Sequence, residues 1–232
     1  MLLLASALGD APAPVEFYAV DTRPPQDPPG EVRRRQQRIA EIAEMIHVAS
    51  LMHDDVIDEA KTRRGLASLN SIFSPKVAIL AGDYLLARSS VTLAALRDPE
   101  VIQYMARVIE NLVAGEIMQL RASDQDLSSF EHYLDKTFLK TASLIANSCK
   151  SIARLAMAPA EVVALAEAYG RHLGLAFQLV DDVLDFVGTS AILGKPALND
   201  LRSGLATAPV LFAAQVRCRP RNGPYIKLCS LL

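Results

Sequence analysis

The chain has no tryptophan, and aromatic residues make up 6% of its 232 positions. With Ala and Leu dominant instead, that scarcity favours helices over sheets. Cysteine is nearly absent too. Cys149, Cys218 and Cys229 have no metal or disulfide spacing, which leaves a reducing compartment as the default. Neither sign of charge dominates, and a net charge of −2 argues against nucleic acid as a partner. No uncharged apolar run reaches the ~18 residues a spanning helix needs. The first twenty residues hold no arginine but do hold Asp10 and Glu16, so no targeting address is legible there. What is present is hydrophobic mass: 51% of the residues, in a chain long enough to bury a sizeable core as one domain.

Proline sets the layout. Pro12, Pro14, Pro24, Pro25, Pro28 and Pro29 predict an irregular leader over residues 1–30. A helical domain is expected over 31–217 and an irregular Arg/Pro-rich tail over 218–232. From Glu31 to Glu59 the pattern is one long helix with an apolar stripe of Ile39, Ile42, Ile46 and Ala49. Further helices are expected at Pro75–Arg97, Pro99–Ala122, Phe130–Met157 and Pro159–Val187, several opening on a first-turn proline. A last one starts near Thr207. Lys61–Ser74 and Gly188–Gly204 read as loops, and no strand alternation is visible. The predicted fold class is all-α.

Two stretches carry the chemistry. His53-Asp54-Asp55-Val56-Ile57-Asp58 has an echo in Gln178-Leu-Val-Asp181-Asp182-Val-Leu-Asp185. Each sets aspartates at i, i+1 and i+4 inside an apolar run, so Asp54 stacks with Asp58, and Asp181 with Asp185. One acidic triplet is common on solvated helices; two copies flanked by apolar residues are not explained that way. Carboxylates packed so densely repel and need cations. Hard oxygen donors suit Mg²⁺, which binds through a few carboxylates plus substrate phosphates. At ~100° per residue, His47 falls on the stripe of Asp54 and Asp58. Arg63-Arg64 follows the first motif, and guanidinium groups grip phosphate oxygens. Lys140-Thr141 and Lys195 are as readily ordinary exposed positions. His53, His132 and His172 read as structural or exposed.

These residues resemble the all-trans polyprenyl diphosphate synthases, most nearly the long-chain mitochondrial type of ubiquinone side-chain synthesis. The resemblance covers about residues 34–215. It rests on Glu44–Asp58, Arg63-Arg-Gly65, Ala81-Gly-Asp83, Gly115-Glu116 with Gln119, Lys136–Asn147, Phe177–Asp185, Gly194-Lys195 and Gly204–Pro209. It implies an isoprenoid-synthase-type helical bundle around a central cavity, with the acidic walls facing each other. Asp54, Asp58 and Asp181 would hold Mg²⁺, with Asp55, Asp182 and Asp185 completing the acidic set. Arg63 would take an allylic diphosphate and Arg64, helped by His47, isopentenyl diphosphate. Lys140, Thr141, Gln178 and Lys195 would line the allylic pocket, with Thr141 and Gln178 turning oxygens toward an allylic cation. Small residues at Ala49 and Ser50 would leave the channel open for a long product.

The resemblance further implies a homodimer or a hetero-oligomer with a related subunit, a mitochondrial location, and peripheral membrane contact on product release. The family's amino-terminal basic motif and its later helices find no counterpart, so the chain is expected to be truncated at both ends. The competing expectation is therefore a catalytically impaired subunit or splice form that stabilises an active synthase. A terpene cyclase is disfavoured by Arg63-Arg-Gly65, and a di-iron bundle by the lack of a second Glu-x-x-His.

Overall fold

A computed structural model describes residues 30–187 and 206–217. The leader up to residue 29, Lys195 with its loop, and the tail from 218 lie outside the described residues. The elements in order are α1 (Glu31–Ile57), β1 (Thr62–Arg63), β2 (Leu66–Ala67), α2 (Leu69–Ile72), α3 (Pro75–Ala94), α4 (Pro99–Leu120), α5 (Asp124–Leu127) and α6 (Phe130–Thr137). A π-helical turn, Phe138–Ala142, then leads into α7 (Ser143–Leu155), α8 (Ala160–Val187) and α9 (Ala208–Arg217).

The starts obey local chemistry. Pro75 and Pro99 sit at first-turn positions, where a missing N–H costs nothing. Before them, Ser74 Oγ accepts from the Val77 N–H, and the Asp98 carboxylate accepts from the N–H groups of Glu100 and Val101. Ser129 caps α6 in the same way through the His132 N–H.

The predicted stripe of α1 is the floor of the core. Ile39, Ile42 and Ile46 are 0–1% exposed and pack with Leu93, Val101, Met105, Val108, Ile152 and Leu155 from α3, α4 and α7. Burying one such side chain is worth about 1.5–3 kcal/mol. Gln36 shares this stripe and is fully buried, its amide donating to the Ile152 carbonyl at 3.3 Å. Cys149 is another core group, and burial pushes its thiol up to about 11, which leaves it unreactive.

Two features depart from the sequence expectation. The Lys61–Ser74 stretch contains a tight antiparallel hairpin, Arg63 opposite Leu66, with Arg64 (φ 51°) and Gly65 (φ 79°) as its two loop residues. Two successive positive φ angles are what a type I′ turn requires. Ser68 and Asn70 pin its base by donating to the Ala60 carbonyl. The Phe130–Met157 helix is interrupted by the π turn, which inserts one extra residue per turn. By length and composition α3 is apolar enough to cross a bilayer, but Lys76, Asp83 and Arg88 lie within it, so it is no uncharged run. It packs on α1, leaving Val77, Leu80, Tyr84 and Val91 exposed along its other face.

The hairpin yields a prediction. Arg64 is a non-glycine residue held in the left-handed region, which costs about 1 kcal/mol or more. Asparagine tolerates that region better. Arg64→Asn is expected to keep or raise the melting temperature while weakening retention of a diphosphate ligand. Paired melting and binding measurements check both signs.

Candidate active site

Adjacent aspartates on a helix point about 100° apart, so one of each Asp-Asp pair must turn inward. In both motifs it is the second. Asp55 is 5% exposed, and Arg63 grips it from the hairpin: Nε donates to Oδ1 and Oδ2 at 2.9 Å each, Nη2 to Oδ1 at 2.7 Å. That bond holds the Arg63 guanidinium still more firmly charged than usual. Asp182 is 2% exposed, and its Oδ1 accepts from Gln178 Nε2 at 2.9 Å. Its Oδ2 accepts from Tyr133 Oη at 2.6 Å and from the backbone N–H of Ala208, the first residue of α9, at 3.1 Å.

These two carboxylates tie the hairpin and α9 to the motifs, each with three of its roughly four acceptor sites filled. Asp185 also parts from Asp181: at 3% exposure it is buried with Asp182, three residues away, whereas Asp181 is exposed. The apolar flank of the second motif does the reverse of what its hydrophobicity suggested. Phe177, Val180, Val183, Leu184 and Phe186 are 44–63% exposed while Asp182 and Asp185 are packed.

The first aspartates are different. No hydrogen bond or ion pair engages the side chains of Asp54, Asp58 or Asp181 among the described residues. Asp54 is half-buried and Asp58 lies at the rim. Burial raises both carboxyls above the ordinary 3.8, opposed by Lys140 and reinforced by Glu116. Lys140 thus lies within electrostatic reach of Asp54 and Asp58.

Lys140 comes from the π turn. Its Nζ makes an ion pair with the Glu116 carboxylate on α4 and lies 3.4 Å from Gln119 Oε1. The chain allows this because position 115 is glycine: a Cβ there would fall 2.7 Å from Lys140 Cγ. The next residue faces the other motif, Thr141 Oγ1 donating to Gln178 Oε1 at 3.2 Å. Behind it, α8 lies directly on the turn. A Cβ on Gly174 would sit 2.4 Å from Ala142 Cα, and one on Gly170 2.7 Å from Ala146 Cα. α7 packs against both α1 and α8. From this turn Lys140 is held by Glu116, and Thr141 meets Gln178 of the second motif.

The remaining expected positions divide. His47 is half-buried, and its carbonyl accepts from Ser50 Oγ at 2.8 Å. Ala49 is fully buried on the core stripe of α1. His53 is structural in a specific way. Its ring lies on α3 where Gly82 leaves room, with Nε2 3.2 Å from the Ile79 carbonyl and 3.5 Å from Asp83. No sequence motif marks Tyr133 or Asn70, and Glu116 is marked only by the Gly115-Glu116 pair of the resemblance. A small open depression lies beside the site, with Gln119, His132, Tyr133 and Lys136 among its walls.

Among the described residues no three carboxylate, histidine or cysteine side chains converge tightly enough to hold an ion alone. The donors fit a hard cation that takes one or two carboxylates per wall and completes its shell from phosphate oxygens and water. The raised carboxyls give a test. A raised folded-state value stabilises the fold below the ordinary 3.8, and that stability is lost as pH rises through the raised value. At neutral pH the two charges therefore oppose folding. Asp54→Asn is expected to melt a few degrees higher than wild type at pH 7 without metal, with the gap closing below about pH 4. Magnesium should raise the melting temperature of wild type and not of the variant.

The sequence profile of the Polyprenyl synthetase family matches residues 16–227, and the chain belongs to that family. It is 59% identical over 185 residues to the mitochondrial solanesyl-diphosphate synthase 1 of Oryza sativa, covering 80% of this chain and 43% of the relative. It is 52% identical over 184 residues to the decaprenyl-diphosphate synthase of Dictyostelium discoideum, covering 79% and 40%. In structure it is similar to the apo medium/long-chain length prenyl pyrophosphate synthase of Arabidopsis (TM-score 0.71, 46% identity, 93% of this chain and 61% of that one). It is similar also to the polyprenyl synthase of Caulobacter crescentus complexed with calcium and isoprenyl diphosphate (TM-score 0.73, 36% identity, 82% and 60%). The chain thus spans less than half the length of these two curated relatives. The fold is the all-α bundle of prenyl synthases. The relatives named here are synthases, which lends no support to the reading as a non-catalytic subunit.

Proposed function

We propose that the site is that of a trans-prenyltransferase, which condenses isopentenyl diphosphate with an allylic diphosphate to build a long all-trans polyprenyl diphosphate. The observation that carries this reading is the π turn. It gives one basic side chain to the first acidic motif and one hydroxyl to the second, so both motifs address a common reacting group. Bound Mg²⁺ would supply charge stabilisation for the departing diphosphate. Asp54 and Asp58 from one wall and Asp181 from the other would hold it, in keeping with a relative that binds calcium and isoprenyl diphosphate.

The chain's own residues do the rest. Arg63 keeps donors to spare beyond Asp55, and with Arg64 and Lys140 it meets phosphate oxygens. As the allylic C–O bond breaks, the diphosphate leaves with the electron pair. The double bond of isopentenyl diphosphate attacks the allylic cation, and loss of a proton restores a longer allylic diphosphate. Thr141 and Gln178 offer oxygens to the cation, and water must be kept out until the new bond forms.

A role in ubiquinone side-chain synthesis is part of this proposal, as is a mitochondrial location, the latter supported by relatives named as mitochondrial. A second copy or related subunit is proposed on the exposed face of α3; membrane contact on release rests on the greasiness of the product alone. The test is incorporation of labelled isopentenyl diphosphate by the chain, alone and mixed with a related subunit, followed by chromatography of the dephosphorylated products. Long all-trans alcohols are expected. Silence alone with stimulation of the partner would overturn catalysis by this chain.

A further inference from the structure

Tyr133 belongs to none of the acidic or basic motifs, yet it ends a chain of hydrogen bonds that leads to them. Its ring is 4% exposed, stacked on Phe130 at 5.6 Å, and packed with Ala208 and Leu211 of α9. Its hydroxyl donates to Asp182 Oδ2 at 2.6 Å. Burial and that bond push the phenol well above its ordinary value, so the group remains a donor at any working pH.

Polarity propagates from there without ambiguity. A carboxylate only accepts, so the Gln178 group facing Asp182 Oδ1 must be the NH₂. Its Oε1 must then face Thr141, and an amide oxygen only accepts, so the Thr141 hydroxyl must spend its proton there. Thr141 is left with lone pairs alone to offer. It cannot donate to a phosphate oxygen, and it is fit to face an electron-poor carbon.

We propose that Tyr133 is a positioning residue. Through Asp182 it fixes the sense of the Gln178 amide, and so reserves the Thr141 oxygen for positive charge developing on the allylic substrate. This rests on the prenyl-transfer reading. Without the Tyr133 donor, Asp182 loses its shortest bond, and its carboxylate is free to turn away from Gln178. The amide, no longer held by an acceptor, can then flip, and Thr141 becomes free to donate to the departing diphosphate, which would stabilise charge separation without guarding the cation.

The experiment compares Tyr133→Phe with Leu211→Ala, which disturbs the same cluster while leaving the hydroxyl. In Tyr133→Phe we expect kcat to fall about tenfold, equivalent to ~1.4 kcal/mol, with KM for the allylic substrate within about twofold. The share of prenyl alcohol from water capture should rise. The Gln178 side-chain amide, assigned by its loss in Gln178→Glu, should lose its protection from hydrogen exchange. Leu211→Ala should lower the melting temperature with neither the partition nor the amide changed. If Tyr133→Phe reproduced only the melting change of Leu211→Ala, or left the Gln178 amide protected, the positioning role would be overturned. The exchange measurement needs no turnover, so a chain that made no product would sink the prenyl-transfer reading and leave the hydrogen-bond order separately tested.

Discussion

Gly174→Val is expected to remove most of the chain's cooperative unfolding transition and all of its ligand binding. Glycine inside a helix is usually a weakness, and a change to alanine normally gains about 1 kcal/mol. Here the sign reverses, because the added carbon meets Ala142 Cα at 2.4 Å and Ala142 Cβ at 2.7 Å. Neither atom can swing aside as the end of a long side chain would. Overpacking typically costs about 1–3 kcal/mol, and valine adds two further methyls to the same space. Against a total stability of about 5–15 kcal/mol, a loss of about 3 kcal/mol or more is decisive. Gly174→Ala should show the milder form, a lower melting temperature with the Thr141–Gln178 contact broken. Thermal melts of the three proteins check the order, wild type above alanine above valine.

The second large effect concerns the unanchored aspartates. Asp54→Ala and Asp181→Ala are each expected to lower kcat/KM by at least about 10²–10³-fold, the range for losing one preorganised group that acts on transition-state charge. Asp55→Ala and Asp182→Ala should also lose activity, but with a different signature. They leave Arg63, or Tyr133 and the Ala208 N–H, without an acceptor, so the melting temperature falls with the rate. Asp54→Ala should not destabilise, since burial already opposes its charge. Rates and melts measured on all four variants separate ligands from anchors.

Much of this site is legible in the amino-acid order. Proline after a capping Ser or Asp marks the starts of α3 and α4, and the period of Ile39, Ile42 and Ile46 gives the buried face of α1. Both acidic motifs stand out by repetition. Spacing alone did not show which aspartate of each pair turns inward, because that depends on partners elsewhere in the chain. Arg63 reaches back eight residues to Asp55, and Tyr133 reaches forward forty-nine to Asp182. The hairpin was hidden because Arg64-Gly65 lacks the Asn-Gly or Asp-Gly signature of a type I′ turn. The π turn was hidden because a reading at 3.6 residues per turn has no place for one added residue. Hydrophobic flanks mark Phe177 and Leu184 as apolar without saying what covers them.

The central claim is that two separate helices cooperate on one metal-bound diphosphate. Calorimetric titration of inorganic diphosphate into the full chain, with and without Mg²⁺, tests it most directly. Binding should require Mg²⁺ and should be lost in Asp54→Ala and in Asp181→Ala alike. Mg²⁺-dependent binding that survived intact in Asp181→Ala would show that α8 takes no part, and would contradict the account.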